Sequence, residues 1–150
     1  MIFLRHLGWP YCWSYANDWC AQAPSLAAAG ASGLLFVSIG DADKLNAFLD
    51  KNPSIPRDQA FVDGYDFEAY NAMGFESLGP GATPEAEAAA KAAASRMQAP
   101  TLSGQQWWSY LTTVGKVSPI PPDMKFGEVP QVNRGHDHSV IFLNQRWRVW

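Results

Sequence analysis

Short apolar runs alternate with helix-like segments through the first half of the chain. Three apolar runs predict strands, at residues 2–7, 33–39 and 59–63. The run at 33–39 has no polar interruption before Ser38, as expected for a strand buried on both faces of a parallel sheet. Helical segments are predicted after each strand. The first covers residues 10–23 and is ended by Pro24, the second is capped by Asp41 or Asp43 and continues to about residue 51, and the third covers residues 66–73. This alternation favours an α/β fold with right-handed crossovers.

The second half of the chain has a different pattern. Thr83 and Pro84 begin an Ala-rich stretch that predicts a helix through residue 98. Its alanines favour helix but offer little apolar surface to bury, so we interpret 83–98 as a helical insert. Another helix is predicted at 103–115. Two apolar runs, 139–143 and 146–150, predict the strands of a terminal β-hairpin.

The turn after the first strand places a cysteine at the start of a helix. Pro10 suits the first helical position because its φ is fixed and its missing N–H is not needed there. Cys12 follows within the first turn, where unpaired N–H groups and the helix dipole favour a negative charge. A stabilised thiolate is therefore expected at Cys12, and the thiolate is the nucleophilic form. The alternative is a buried, inert cysteine, which is common in proteins.

Cys20, the second cysteine, lies on the same predicted helix. Eight residues of intact helix span about 12 Å, whereas a disulfide needs Cα atoms within about 7 Å. Cys20 is therefore either a core residue or a resolving thiol that acts only after local unwinding of the helix.

Composition limits the class of protein. The chain has 150 residues, of which 47% are hydrophobic and 17% charged, so a single domain with its own core is expected. Its net charge of −3 and the lack of a basic stripe argue against a nucleic-acid partner. No apolar run reaches the roughly 18 residues that span a bilayer, so no membrane partner is expected.

With two cysteines and no signal-peptide pattern, we expect an intracellular location, cytoplasmic or organellar. The first strand begins abruptly, so we expect the native N-terminus to be longer.

Several motifs occur in the order found in a known family. FLRHLGWPYC, LLFVSIG, FVD and AYNAMGF resemble the successive motifs of the peroxiredoxin-like branch of the thioredoxin superfamily, often labelled AhpC/TSA antioxidant-like. The resemblance covers about residues 2–75. It implies one thioredoxin-like domain over 1–150, with a central mixed β-sheet flanked by helices. It also implies thiol redox activity.

The motif departs from the family pattern at one important position. Trp9 stands where the family often has the first cysteine of a C-x-x-C pair, so dithiol exchange within the motif is excluded. Arg134 resembles the arginine that precedes a late strand in peroxiredoxins, at a different spacing. Arg5 and His6 alternate to opposite faces of the first strand, and one of them is a candidate to lower the pKa of Cys12 or to hold substrate. The alternative is a solvated arginine and a hydrogen-bonded histidine.

Two hypotheses of function follow. The first is a thiol-dependent antioxidant or redox protein, a peroxidase or thiol oxidoreductase, acting on a peroxide or a thiol/disulfide substrate. Cys12 would be oxidised to sulfenic acid and then reduced by Cys20 or by a thiol reductant protein. The alternative is a redox-inactive thioredoxin-like domain that binds a partner or apolar ligand through a groove walled by Trp9 and Trp13.

A metal or cofactor is not expected. His136 and His138 would share one face of a strand, but a zinc site needs three or four ligands, and the remaining histidine, His6, is distant in sequence. The motif HDH at 136–138 is therefore interpreted as a polar segment that leads into a strand. The chain has no glycine-rich phosphate loop.

Overall fold

A computed structural model describes residues 1–64, 67–75, 83–95 and 98–118 of the chain. These residues form a mixed α/β structure with a three-stranded parallel sheet. The chain divides into two units, one comprising Met1–Phe67 with Ala99–Ile120 and the other Glu68–Gln98 with Pro121–Trp150. Arg134, the HDH motif and the predicted hairpin lie outside the described residues.

The described strands and helices follow the predicted order. The strands are β1 (Ile2–His6), β2 (Phe36–Ile39) and β3 (Ala60–Asp63). The helices are α1 (Pro10–Ala28), α2 (Ala42–Leu49), α3 (Glu68–Ala72), α4 (Pro84–Ala94) and α5 (Gly104–Val117), with a 3₁₀ turn at Arg57–Gln59.

Strand β2 lies between β1 and β3 and is parallel to both. All four of its residues are buried, as the continuous apolar run predicts. The strand is shorter than predicted because regular pairing begins at Phe36, while Leu35 contributes only a carbonyl to the amide of Ile2, at 2.7 Å.

The β1–β2 register shifts between Leu4 and His6. Leu4 pairs with Ser38 and His6 with Ile39, so β1 contains one extra residue, Arg5, at this point. An extra residue of this kind bends a strand and re-aims its side chains. The simple alternation predicted for Arg5 and His6 therefore does not hold at the end of β1.

Helix α1 is longer than predicted. It begins at Pro10, as expected, but it continues through Pro24 to Ala28. Proline in a helix interior removes one hydrogen bond and crowds the preceding turn. The end of α1 tolerates it because Pro24 and most of its neighbours face solvent. The prediction that Pro24 ends the helix is wrong.

The caps of α2 and α5 come from side chains. Asp41 caps α2 by accepting a hydrogen bond from the amide of Lys44 at 2.9 Å, which selects Asp41 over Asp43. Ser103 caps α5 in a capping box with Gln106. Each cap satisfies backbone donors that a helix start leaves unpaired.

The core of the first unit centres on Trp13, which is fully buried. Its ring meets Phe48 of α2 and Tyr110 of α5 edge to face, at centroid distances of 5.2 and 5.4 Å. This side chain therefore joins α1 to two other helices. The same cluster includes buried residues from β1, the turn after it, β2, α2 and α5, namely Leu4, Leu7, Phe36, Leu49 and Val117.

The second unit is described through α3 and α4. Tyr70 of α3 packs against Phe75 at a ring distance of 5.6 Å, across a turn in which Gly74 adopts a φ of 72°. The positions of α4 whose burial is described are almost all exposed, in agreement with the small apolar surface of its sequence. Within the described ranges, no helix has the length and apolarity to cross a bilayer.

Candidate thiol site at the first turn

The turn between β1 and α1 is closed by backbone hydrogen bonds. The amide of Trp9 donates to the carbonyl of His6 at 3.1 Å, and the amide of Cys12 donates to the carbonyl of Trp9 at 3.0 Å. Trp9 occupies the N-cap position with extended backbone, and its side chain makes no capping hydrogen bond. The amide of Cys12 is therefore already engaged within the turn.

Two aromatic side chains hold the carbonyl groups of this turn. The indole Nε1 of Trp13 donates to the carbonyl of Leu7 at 2.7 Å. The hydroxyl of Tyr110, from α5, donates to the carbonyl of Gly8 at 3.1 Å. A Cβ atom at Gly8 would lie 2.6 Å from the Cα of Ser118, so the turn and the end of α5 approach each other too closely for any larger residue.

Cys12 is buried, with only 3% of its surface exposed. Desolvation raises the pKa of its thiol to about 11, because burial penalises the thiolate. Hydrogen bonds to the backbone of His6 and Arg5 and the positive charge of Arg5 act in the opposite direction and are outweighed. The expected thiolate stabilisation at the helix start is thus reversed by the loss of water.

Arg5 lies close to this thiol. Its guanidinium carbon stands 5.2 Å from the centre of the Trp9 ring, in a cation–π contact. Burial lowers the pKa of Arg5, and the charge of Cys12 partly offsets that change. Its Nε atom is buried without a hydrogen-bond acceptor among the described residues. The positive charge of Arg5 therefore acts on Cys12, as one of the two predictions for this residue proposed.

The other predicted site residues lie around the turn in different roles. His6 ends β1, is half-buried, and accepts a hydrogen bond from Trp9 through its carbonyl. Pro10 begins α1. Trp9 is half-buried, and its ring lies 4.9 Å from that of Tyr11. Because Trp13 is fully buried, it cannot form one wall of an open groove, and that part of the binding hypothesis is wrong.

Cys20 is the more accessible of the two free cysteines. It is half-buried, and burial raises the pKa of its thiol. It lines a cleft of about 260 Å³ beside the second half of α1, and the apolar part of that lining includes Ala23, Leu26, Leu34 and Pro56. The structure records both cysteines as thiols within one unbroken helix, in accord with the predicted separation.

Tyr110 is a neighbour of Cys12 that the sequence did not predict. Burial raises the pKa of its phenol, and the negative charge of an ionised Cys12 adds to that rise. The pattern S-x-x-Q at 103–106 indicates where α5 begins. It carries no information on which surface α5 packs against, so the proximity of Tyr110 to Cys12 could not be read from the sequence.

Two polar clusters fasten α1 to its neighbours. Ser14 accepts a hydrogen bond from the amide of Thr101 at 2.9 Å, and Asp18 bonds both hydroxyl groups. In the second cluster, Asn17 donates to Asn52 at 2.9 Å and accepts from Ser54 at 2.6 Å. These groups satisfy one another, so we assign both clusters to structure. Among the described residues, no three histidine, cysteine or acidic side chains converge as metal ligands.

Comparison with protein-family models, with curated proteins and with solved structures finds no match to this chain.

Proposed function

We propose that this chain is a thioredoxin-like α/β domain that acts by binding a macromolecular partner, with Cys12 as a structural thiol. The parallel β-α-β-α-β order, with a cysteine in the helix that follows the first strand, supports the architecture. It agrees with the motif order that resembles the peroxiredoxin-like branch.

The burial of Cys12 is the observation that carries this proposal. Burial raises the pKa of the Cys12 thiol to about 11, so the thiol is protonated at neutral pH. Attack on a peroxide or disulfide requires the thiolate and access to it. In this structure the Cys12 thiol is protonated and shielded from solvent. Its burial therefore favours the binding hypothesis over thiol chemistry.

The outer face of α5 is the surface we assign to the partner. Trp108 and Leu111 lie one turn apart on this face and are 70% and 61% exposed. Large exposed apolar side chains side by side are typical of protein contact surfaces, and Trp is enriched at their centres. The cleft beside Cys20, at about 260 Å³, lies below the roughly 300–1,000 Å³ of pockets for drug-sized ligands.

The thiol part of the proposal is tested by titrating the ultraviolet absorbance of the thiolate in a Cys20→Ser variant. The same variant with Cys12→Ala added provides the blank for tyrosine absorbance. We expect the Cys12 thiolate to appear only well above the ordinary thiol pKa of 9.0. A pKa at or below that value would overturn the assignment of a structural thiol.

The binding part is tested by photo-crosslinking in cells, with a crosslinking residue at Gln105 or Thr112 beside the exposed pair. A discrete crosslinked partner is expected, and it should disappear when Trp108→Ser and Leu111→Ser are combined. The matched control is Phe61→Ser, which removes an exposed aromatic ring from β3. Equal crosslinking in the parent protein, the combined Trp108→Ser and Leu111→Ser variant and the Phe61→Ser control would contradict the assigned surface.

A second candidate function, thiol oxidation by peroxide, is favoured by the proximity of Arg5 to Cys12. In that reaction the sulfur bonds one peroxide oxygen, the O–O bond breaks, and water or an alcohol leaves. Sulfenic acid trapped and located by mass spectrometry would appear first at Cys12. Cys20→Ser would leave the first oxidation rate nearly unchanged, and Cys12→Ser would abolish it.

A further inference from the structure

Helix α5 covers the turn that contains the buried thiol. Its inner face contributes Tyr110, whose hydroxyl bonds the Gly8 carbonyl, and Val117, which is buried in the core cluster. Ser118, directly after the helix, lies against Gly8. These contacts join the first turn of the fold to residues about a hundred positions later in the chain.

Helix α5 is distant in sequence from the strands of the first unit. The backbone leaves the first unit after Phe67 and returns at Ala99, so α5 has no covalent neighbour within the sheet. The segment just before α5 is held by Thr101, which forms hydrogen bonds with Ser14 and Asp18 of α1. The contacts at Thr101 are polar and lie at the far end from the contact of Ser118 with Gly8, so the two ends of α5 are held by different interactions.

We propose that α5 is a hinged cover, pivoting near Thr101, whose release from the turn exposes Cys12 while the sheet stays folded. Local opening of one element while the rest of a domain stays folded is common in proteins. An isolated helix of 14 residues is marginal in water, so released α5 unwinds. The capping box at Ser103 therefore stabilises the closed state, although it lies at the opposite end of the helix from the turn. The inference is independent of the partner proposed above.

The experiment measures the alkylation rate of Cys12 in the full chain with Cys20→Ser, at fixed pH, as a function of denaturant. The reagent is kept slow, so that the rate reports the population of the open state. Tyr110→Phe removes the hydroxyl that bonds the Gly8 carbonyl, and Ser103→Ala removes the side-chain cap of α5. Tyr15→Phe is the matched control, because that ring is exposed on α1 and meets Trp19 instead of the turn.

We expect Tyr110→Phe to speed alkylation of Cys12 by about threefold to tenfold. Ser103→Ala should speed it by about fivefold, and Tyr15→Phe should leave it unchanged. The dependence of the rate on denaturant should be shallower than that of global unfolding, because only the surface under α5 is exposed. A dependence equal to that of global unfolding, or rates unchanged by both Tyr110→Phe and Ser103→Ala, would overturn the proposal.

Discussion

Trp13 is fixed at three points of its side chain. Its indole N–H bonds the Leu7 carbonyl, one ring contact is with Phe48, and another is with Tyr110. It is also fully buried, so neither its volume nor its hydrogen bond can be replaced by water. At the residue scale, this side chain determines how the first turn sits on the core.

Trp13→Phe should therefore lower the free energy of unfolding by about 2–4 kcal/mol, from the cavity and from the buried carbonyl left without a donor. Urea denaturation followed by circular dichroism measures the change. Trp19→Phe is the control, because that ring is half-buried against Tyr15, and its cost should stay below about 1 kcal/mol. Equal losses in the two variants would show that Trp13 has no special role.

The pKa of Cys12 has a consequence for stability at high pH. In the unfolded chain this thiol ionises near its ordinary value of 9.0, whereas in the folded protein it stays protonated up to about 11. Between those values the folded state binds more protons, so the free energy of unfolding falls as pH rises. The loss amounts to about 2–3 kcal/mol at most.

Cys12→Ala should remove this part of the pH dependence. Comparing chemical denaturation of the wild type and Cys12→Ala from neutral pH to about pH 11 separates the contribution of this thiol from those of the lysines and tyrosines. Below pH 9 the difference between the two proteins should be constant. Parallel curves throughout the alkaline range would mean that the Cys12 thiol is not desolvated.

At the scale of elements, α1 combines a buried first half with an exposed second half. Residues 12–14 and Ala16 are buried, whereas Pro24 and most positions around it face solvent. Pro24 has no N–H to donate to the Cys20 carbonyl, one turn earlier. The last turns of the helix are therefore held less firmly than its beginning.

Pro24→Ala should stabilise the protein by about 1–3 kcal/mol, because it restores the helical hydrogen bond and removes no buried contact. Thermal and urea denaturation measure the effect. Pro53→Ala is the control, since that proline is exposed in a loop and its replacement should be neutral or slightly destabilising. A loss of stability in Pro24→Ala would show that the proline is needed for the shape of α1.

The sequence predicts the order of the described elements because each has a local signal. Apolar runs mark β2 and β3, Asp41 and Ser103 mark helix starts, and Gly74 marks the turn after α3. The continuation of α1 through Pro24 could not be predicted, because local propensity opposes it. For Cys12 the sequence left a stabilised thiolate and a buried, inert thiol as alternatives. It could not decide between them, since Tyr110 and Ser118 reach the turn only through tertiary packing.

At the scale of the whole molecule, the first unit is discontinuous in sequence, and the second unit is described through α3 and α4. Described side chains of α4 are nearly all exposed, and an alanine side chain offers little apolar area to bury. We therefore expect this helix to contribute little to the free energy of unfolding.

Deleting residues 83–98 should leave the first unit folded, with a single cooperative unfolding transition and an intact near-ultraviolet signal from Trp13. Circular dichroism and urea denaturation of the shortened chain provide the measurement. As a control, replacing the same residues with a Gly/Ser linker of equal length separates loss of the helix from shortening of the connection. Loss of cooperativity in both forms would place α4 among the elements that the core requires.

The contact between Tyr110 and Gly8 also sets an order of events during synthesis. The two residues are 102 positions apart, so β1 and Trp13 leave the ribosome long before α5 can cover them. At about 5–20 residues per second, that interval lasts roughly 5–20 seconds. Throughout it the nascent chain exposes an apolar strand, an uncovered tryptophan and the Cys12 thiol. The newborn chain is therefore most vulnerable to aggregation, chaperone capture and thiol modification before its last described helix is made.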